Sequence, residues 1–405
     1  MENPPVVNLI VPSEAYRTGD WMQAAGRLGV EIAVATEAHH SLAEDMGATM
    51  IPVDFEDPEG SALRIAASNL PIRAIIPIDD RGVPMAARAA ALRGLAHNSV
   101  DAADTTRDKG RMRKRLHGVI DQPPFVLLEP HQTAGEALSV GLPLVVKPVG
   151  LSGSVGVIRV DERRRIDETV GRVRDIAADR GASPEDPLLV ERYVPGAEVA
   201  VEGMVTDAHW ETLAVFDKPD PLEGPYFPET HYVTPSRLPH EVLERIDLTC
   251  ARAVRSLGIV RGPAHAELRV STDRVVLLEI ASRPIGGLCG RSLKFGLTDT
   301  PLEELLIRNA LGIRVRGTRL SPGASGVSMI PVPTPGVFAG IEGIEVALEV
   351  DHVTGVEVNR LAGRLVAPLP DESTYLGFVF ARAPTPGEVE RALRTASEVL
   401  QVMID

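Results

Sequence analysis

The fold is decided by the stretch Lys147-Pro148-Val149-Gly150-Leu151-Ser152-Gly153-Ser154-Val155-Gly156-Val157. An apolar run leads into a loop of small residues and a second apolar run follows, which predicts two strands joined by a flexible turn. Glycine and serine let backbone amides approach an anion closely, and Lys147 adds a fixed positive charge, so the loop suits a phosphate. The competing interpretation is an ordinary hairpin with a glycine-rich turn, and the loop alone does not decide between the two. The chain has neither a Walker pattern nor GxGxxG, which disfavours P-loop phosphotransferases and dinucleotide dehydrogenases.

Downstream of this loop, two carboxylates flank a turn in Glu191-Arg192-Tyr193-Val194-Pro195-Gly196-Ala197-Glu198. The amine of adenine and the hydroxyls of ribose are hydrogen-bond donors, so acceptors at such a turn suit a nucleoside. Taken by itself, the motif is better explained by two solvated acids beside a turn.

A second acidic pair, Glu267 and Glu279, lies on two consecutive predicted strands. Mg²⁺ takes a few carboxylates and keeps waters and phosphate oxygens, so two acids on one face would suit a metal–nucleotide site. They share a face if they are direct cross-strand partners, which a three-residue turn Thr272-Asp273-Arg274, with Ser271 opposite Val275, provides. A two- or four-residue loop turns Glu279 away unless a bulge restores the register.

Composition narrows the classes of partner. The 405 residues include 42 Lys and Arg against 56 Asp and Glu, a net charge of -14 that disfavours nucleic acid and anionic membranes as partners. No run of eighteen apolar residues occurs, so no membrane span is expected. The two cysteines cannot form a disulfide framework and the first residues do not resemble an export signal, which favours the cytoplasm.

The order of apolar runs predicts a mixed α/β and α+β protein with three domains, at residues 1–100, 101–195 and 196–405. In the first, short apolar runs alternate with Ala-rich helical stretches, which is typical of a parallel sheet with crossover helices. The predicted strands there are Val6 to Val11, Val30 to Ala35, Met50 to Val53 and Ala74 to Ile78, and the predicted helices are Trp21 to Leu28, Gly60 to Asn69 and Val83 to Arg93. Asp79 and Asp80 follow the last strand, at the edge where open α/β sheets bind ligands, although a helix-capping turn explains them equally well.

The remainder alternates between antiparallel strands and helices. Residues 125–216 predict α+β structure, with a helix from His131 to Val140 and a strand from Val155 to Val160. Residues 217–237 contain five prolines and predict a long substrate-covering loop. The pattern of residues 320–405 predicts several strands followed by a final helix from Pro386 to Val402.

Taken in order, these motifs resemble the ATP-grasp superfamily, and most closely its carboxylate-amine ligases of the bacterial L-amino acid ligase type. The motifs are Asp108-Lys109-Gly110-Arg111-Met112-Arg113, Lys147 with its loop, Glu191 to Glu198, Glu267, and Glu279 to Gly287. Further likeness lies in Pro77 to Val83, Asp217 to Ser236 and Gly377 to Arg382. The resemblance implies an ATP-grasp fold preceded by a Rossmann-like domain, and a homodimer is expected from it.

The resemblance also implies roles for individual residues. Lys109 and Lys147 would contact the ATP phosphates, under a flap formed by Ser152, Gly153, Ser154, Val155 and Gly156. Glu191 and the backbone of Val194 would face adenine and Glu198 the ribose, and Glu267 and Glu279 would bind Mg²⁺ or Mn²⁺. Arg283 would act with Lys147 in catalysis, and substrate contacts are expected from Gly286 and Gly287. Lys218, Glu229 and His231 in the 217–237 loop are candidate substrate contacts, although a solvated loop charge explains each of them better.

One departure from the family pattern affects the metal. Many ATP-grasp enzymes have Asn two residues after the second metal-binding Glu, whereas this chain has Ala281, which cannot ligate. The number of bound metal ions is therefore open.

The expected activity is ATP-dependent joining of a carboxylate, such as an amino acid, to an amine through an acyl phosphate, with release of ADP and phosphate. The alternatives are a purine-pathway-type ligase or carboxylase of the same fold, a phosphotransferase, and a non-catalytic nucleotide-binding regulatory protein. Retention of both lysines, both acids and Arg283 argues against the last, because binding alone does not require every charge-neutralising group.

Overall fold

The N-terminal part of the computed structural model is a parallel sheet with helices, as its alternating pattern predicts. The structure describes residues 4–13, 15–37, 41–315, 317–372 and 375–405. The strands are β1 (Val6–Ile10), β2 (Glu31–Thr36), β3 (Thr49–Pro52) and β4 (Ile72–Pro77), in the order β3-β2-β1-β4. The helices are α1 (Thr18–Leu28), α2 (Ser41–Asp45), α3 (Pro58–Ala67) and α4 (Gly82–Leu92). All pairings are parallel, which places Asp79 and Asp80 at the carboxyl edge of the sheet.

Two short helices lead into a small antiparallel sheet. The helices are α5 (Val100–Arg107) and α6 (Lys109–Leu116), and Asp108 caps α6 by accepting a hydrogen bond from the Arg111 amide. The sheet has strands β5 (Phe125–Leu128), β6 (Leu144–Pro148), β7 (Ile158–Val160) and β8 (Leu188–Arg192), in the order β5-β8-β6-β7. Helix α7 (Ile166–Asp179) packs against it, and Val146, Val173 and Val190 are among the buried residues between them.

The largest element is an eight-stranded antiparallel sheet in the order β13-β12-β9-β10-β11-β16-β20-β18. Its strands are β9 (Ala197–Thr206), β10 (His209–Lys218), β11 (His231–Thr234), β12 (Gly262–Val270), β13 (Val275–Ala281), β16 (Ala324–Pro331), β18 (Val353–Val358) and β20 (Tyr375–Ala383). Two faces of this sheet are covered: helix α8 (His240–Leu257) packs on one side, and Trp21 of α1 shares a buried core with Phe216 and Phe378 of the sheet.

The remaining helices and strands lie in the second half of the chain. They are β14 (Lys294–Phe295), β15 (Thr300–Pro301), α9 (Leu302–Ala310), β17 (Gly336–Glu342), α10 (Ile344–Leu348), β19 (Leu365–Val366), α11 (Pro386–Val399) and β21 (Gln401–Ile404). Strands β14 and β15 pair with each other, and β19, β17 and β21 form a three-stranded sheet. Among the described residues, no helix combines the length and the apolar character needed to cross a membrane.

Several local predictions were wrong, each for a physical reason. Residues 217–237 are not one loop, because β10 continues to Lys218 and β11 adds a short strand between β10 and β16. The last helix ends at Val399 rather than Val402, since the chain re-extends to pair β21 with β17. The segment from His131 is only a 3₁₀ helix from Ala134, and the strand predicted from Val155 begins at Ile158. Helix α9 was missed.

Candidate active site

A cleft with a volume of about 440 Å³ lies between the N-terminal parallel sheet, the small antiparallel sheet and the eight-stranded sheet. That volume is within the range of small-molecule sites, roughly 300 to 1,000 Å³. The loops after β1 and β4, the small antiparallel sheet and the large sheet all contribute to its walls. The cleft therefore collects residues that are far apart in the sequence.

Glu267 and Glu279 are direct cross-strand partners in the cleft wall, on β12 and β13. The turn that was predicted to give this register is wrong, because Val270 rather than Ser271 faces Val275. The loop therefore has four residues, 271–274. A bulge at Leu278 shifts the pairing by one residue and restores the pairing of Glu267 with Glu279, as a four-residue loop requires. Both carboxylates therefore lie on the same face of the sheet, as a shared metal site requires.

Lys147, at the end of β6, is paired with a buried carboxylate. Its Nζ lies 2.5 Å from Oε2 of Glu191, and Arg113 of α6 donates to Oε1 of the same residue. Burial would raise the pKa of Glu191, but the two cations outweigh it and hold this pKa below its usual value. Burial, with Arg113 nearby, lowers the pKa of Lys147 despite the ion pair. Lys147 is thus a poorly hydrated cation that would gain from an anion in the cleft.

Lys109, the first residue of α6, joins the glycine-serine loop to the acidic pair. Its amide donates to the carbonyl of Val149 at 3.0 Å, and its Nζ donates to the carbonyl of Leu151 at 2.5 Å. The same Nζ lies 3.0 Å from Oε1 of Glu279. One ammonium group therefore touches both the loop expected to hold phosphate and a carboxylate expected to hold metal.

Arg283 follows β13 and reaches across the cleft to the N-terminal sheet. Its Nε donates to Oδ2 of Asp80 at 2.8 Å, and its Nη1 donates to the carbonyl of Pro284 at 2.9 Å. Burial would raise the pKa of Asp80, but Arg283 above all outweighs it and lowers this pKa. The pair therefore fixes the direction of the guanidinium and ties the N-terminal sheet to the metal strand.

Lys218 lies under the cleft floor among three acids. Its Nζ is 2.8 Å from Glu198, 2.6 Å from Glu229 and 3.4 Å from Glu267, in each case measured to Oε1. Only 3% of its side chain is exposed. The pKa of Lys218 is raised well above its usual value, because the three carboxylates outweigh the effect of burial.

A network of buried polar side chains lies under the cleft floor. Glu202 of β9, with 0% of its side chain exposed, accepts from the Ile285 amide at 3.0 Å and lies 3.2 Å from Nδ1 of His265. Arg17 donates to the carbonyl of Ile285. Both backbone groups of Ile285 are therefore held by buried charged side chains, which fixes the segment that follows Arg283.

The end of the cleft beyond Glu229 is aromatic. The rings of Tyr16 and Tyr375 lie 5.8 and 6.2 Å from the ring of Phe378. A Cβ added to Gly287, whose φ is +58°, would come within 2.9 Å of that ring, so glycine permits the close approach. The Tyr375 hydroxyl accepts from the Glu229 amide at 3.2 Å.

Most of the residues singled out from the sequence converge on this cleft. Those in its wall are Lys109, Lys147, Ser152, Gly153, Ser154, Glu191, Val194, Glu198, Glu229, Glu267, Glu279, Arg283, Gly286 and Gly287. Ser154 has φ +61° and lies between two positive-φ glycines, Gly153 and Gly156, so the loop has the irregular backbone expected of a flap.

The structure places four of the predicted residues elsewhere. His231 is on β11 beside Tyr232, and because side chains alternate along a strand, Tyr232 lines the cleft while His231 points to the other face. There its Nδ1 lies 2.9 Å from Asp220. Val155 faces a second cavity behind the loop, and the Gly156 amide donates to the carbonyl of Pro370. Lys218 lies under the cleft floor, as described above.

Four residues of the site carry no role in the sequence-based interpretation: Asp80 and Tyr232 line the cleft, whereas Arg113 and Glu202 lie outside its lining and hold the lining residues Glu191 and Ile285. Asp80 was noted only as a residue at the edge of the first sheet, and nothing in the sequence links it to Arg283, 203 positions away. Arg113 belongs to the Asp108–Arg113 motif but had been given no role. Glu202 and Tyr232 carry no local motif, although alternation on β11 would have selected Tyr232 over His231.

Comparisons with known proteins agree with this architecture. Residues 22–96 match the ATP-grasp N-terminal domain, residues 140–292 the ATP-grasp domain, and residues 328–405 the L-amino acid ligase C-terminal domain 2. The structure is similar to that of an L-amino acid ligase from Bacillus licheniformis, with a TM-score of 0.80 and 24% identity over 100% of both chains. It also resembles carboxyaminoimidazole ribonucleotide synthase from Aspergillus clavatus, with a TM-score of 0.78 and 17% identity over 98% of this chain and 99% of that one.

Curated relatives include the alanine–anticapsin ligase of Bacillus subtilis, 29% identical over 48% of this chain. The chain spans 44% of that relative, and 44% to 53% of three other curated relatives that it matches. The D-alanine–D-alanine ligase of Desulforudis audaxviator is 32% identical over 53% of this chain and 71% of the relative. With the lysine-bearing loop, the paired acids and the three domain matches, these likenesses show that the chain belongs to the ATP-grasp superfamily.

Proposed function

We propose that this protein is an ATP-dependent ligase that activates a carboxylate, such as that of an amino acid, and joins it to an amine with release of ADP and phosphate. The observation that carries the proposal is the convergence of two lysines, a cross-strand pair of acids and Arg283 on one cleft. Relatives and neighbours named as ligases of amino acids support this reaction class.

In this proposal the triphosphate lies between the glycine-serine loop and the acidic pair. Lys109 and Lys147 now neutralise Glu279 and Glu191, and each ammonium group would gain phosphate oxygens as further partners when a nucleotide enters. The backbone of Ser152, Gly153 and Ser154 would cover the phosphates from above, as small residues with unusual backbone angles allow.

The nucleoside would occupy the side of the cleft next to the small sheet. Val194 follows β8 there and offers backbone groups to the base, while Glu198, at the start of β9, would face the ribose. Both oxygens of Glu191 are bonded, to Arg113 and to Lys147, so Glu191 would hold Lys147 in place beside the base.

Glu267 and Glu279 fit a divalent cation, because they are hard oxygen ligands placed opposite one another at the same edge of the cleft. Mg²⁺ or Mn²⁺ would there neutralise phosphate charge. Ala281, opposite His265, offers only a methyl group, so the protein ligands in this wall are these two carboxylates.

The acyl group would be activated by phosphorylation. A carboxylate is a poor acylating agent, and attack of its oxygen on the γ-phosphorus gives an acyl phosphate and ADP; attack by an amine then expels phosphate and leaves the amide. Arg283, held by Asp80, would orient the substrate carboxylate and the transferred group, and the loop over residues 152–156 would exclude water from the acyl phosphate.

Glu229, Gly286 and Gly287 lie where the rest of the substrates would bind, between the acidic pair and the aromatic end. We also propose that residues 1–100, 101–195 and 196–405 form the N-terminal, lid and large units of the enzyme. Each unit then contributes one wall of the cleft.

The test is release of ADP and phosphate from ATP with amino acids and small carboxylates, supplied singly and in pairs. Phosphate release that requires two substrates, with one amide formed per ADP, is the expected result. Phosphate that appears equally well with no second substrate, or a phosphorylated acceptor without free phosphate, would contradict the proposal.

A further inference from the structure

Glu198, Glu229 and Glu267 form an acidic triad in which the ligand oxygens lie within 4.8 Å of one another. This arrangement is compact enough to hold a cation. The cation found there is an ammonium group, because Nζ of Lys218 contacts all three carboxylates.

The second oxygens of two members are also engaged by protein groups. Oε2 of Glu198 lies 2.8 Å from Nε of Arg269, and Oε2 of Glu229 accepts from the Tyr232 hydroxyl at 2.6 Å. Glu267 differs, since its nearest contacts to Lys218 and to Nε2 of His265, at 3.4 and 3.9 Å, both involve Oε1. Its other oxygen lies farther from both of these groups, and Glu279 is the cross-strand partner of Glu267.

We propose that Lys218 is the resident cation of this triad: it closes the triad to divalent metal and turns one oxygen of Glu267 toward Glu279. Lys218 is thereby a positioning residue rather than a substrate ligand. The part of this assignment that concerns Glu279 rests on the proposed function, whereas the occupancy of the triad does not.

The physical reason is competition for one position. Three carboxylates that converge without a cation repel one another, and a divalent ion with oxygen ligands is the natural replacement for the missing positive charge. With an ammonium in the centre, a metal ion entering the cleft finds only Glu267 and Glu279 in position. A neutral side chain at position 218 should convert the triad into a second metal site.

The experiment counts Mn²⁺ bound per chain by electron paramagnetic resonance, without nucleotide, in the wild type, Lys218→Met, and the double variant Lys218→Met/Glu229→Gln. Mn²⁺ favours the same oxygen ligands as Mg²⁺. Lys218→Met should bind one Mn²⁺ more than the wild type, and the double variant, with one carboxylate fewer, should lose that extra ion. Lys114→Met, which removes an exposed lysine from α6, should bind as many ions as the wild type.

Thermal unfolding keeps the test decisive if Lys218→Met is unstable. Its unfolding temperature should be lower than that of the wild type in metal-free buffer and should recover with Mn²⁺, because the ion replaces the ammonium. Equal Mn²⁺ counts in Lys218→Met and wild type, or an unstable variant that Mn²⁺ does not rescue, would overturn the assignment. A wild type without ADP release but with the extra Mn²⁺ in Lys218→Met would refute the proposed function alone.

Discussion

Replacing Asp80 by Asn tests whether the ion pair across the cleft controls catalysis. Asp80 has 7% of its side chain exposed and is bonded to Arg283, whose side chain is 14% exposed. Removing one member of a buried pair typically costs about 3–5 kcal/mol, because the other charge stays buried without its partner. Asn keeps one acceptor oxygen and Arg283 keeps the carbonyl of Pro284, so we expect the lower limit, about 3 kcal/mol of unfolding free energy.

The expected effect on activity is comparable in free energy to the effect on stability, because a hundredfold loss of rate corresponds to about 2.7 kcal/mol. A guanidinium displaced by about 1 Å from a reacting group lowers the rate on the order of a hundredfold. In Asp80→Asn we therefore expect kcat to fall about a hundredfold, with the KM for ATP unchanged because the lysines are untouched. The assay is coupled ADP release with the substrate pair that the wild type uses fastest, combined with urea unfolding.

The neighbouring residue Asp79 supplies a matched control. Its side chain is 43% exposed, it lies 3.7 Å from Arg81, and its Oδ1 accepts from the Arg81 amide. Asp79→Asn keeps that acceptor, so its unfolding free energy should stay within about 0.5 kcal/mol of the wild type and kcat should hardly change. Equal losses in the two variants, or wild-type kcat in Asp80→Asn, would refute the role assigned to the pair.

The pH dependence of stability follows from the same pair. The pKa of Asp80 is lowered in the folded protein, so its contribution is fully present above the ordinary carboxyl range, near 4, and is lost as the pH falls through the folded value. The stability difference between wild type and Asp80→Asn should therefore be largest at neutral pH and should shrink on acidification. A difference that grew as the pH fell would contradict this sign.

Three further predictions concern the nucleotide end, the metal pair and the last helix. Lys147→Met should lower kcat/KM for ATP by roughly 10²–10³-fold. Because burial lowers the pKa of Lys147, the wild type should lose ATP affinity at a lower pH than expected for a solvent-exposed lysine. Lys147→Arg should not show this loss, and measurement of ATP binding as a function of pH checks both variants. Glu279→Gln should keep the circular dichroism spectrum of the wild type but weaken Mn²⁺ binding measured with ADP, and unchanged Mn²⁺ affinity would argue against the metal pair. Thr385→Ala removes the capping box with Glu388 and should cost about 1 kcal/mol of unfolding free energy without changing KM, which separates stability from function.

The parts of the fold that were predicted correctly have strong local patterns. The βαβ units of the first hundred residues show periodicities that survive in the structure. The register of Glu267 and Glu279 was correct for the pair but wrong for the turn, since a bulge at Leu278 compensates for an unexpected loop length. Turn geometry and bulges are set by neighbouring strands and not by the turn residues alone.

The parts of the site that were missed depend on long-range contacts. Asp80 and Arg283 are in contact because the N-terminal sheet packs beside β13. The sequence around either residue contains no pattern that indicates this contact. His231 lies outside the cleft lining because it is on a strand, β11, which directs Tyr232 to the cleft instead. The prediction treated residues 217–237 as a loop, where the alternation of side chains does not apply. Burial also changed the interpretation of Lys218, since a loop lysine in solvent and a lysine among three carboxylates look identical in the sequence.

The most direct test of the account follows the oxygen atoms of the acid substrate. An amino acid labelled with ¹⁸O in its carboxylate is incubated with ATP, Mg²⁺, the amine substrate and the enzyme, and the released phosphate is examined by mass spectrometry. Activation as an acyl phosphate predicts that each phosphate carries one ¹⁸O atom transferred from the carboxylate. Unlabelled phosphate formed together with the amide would contradict the central claim that this cleft phosphorylates a carboxylate.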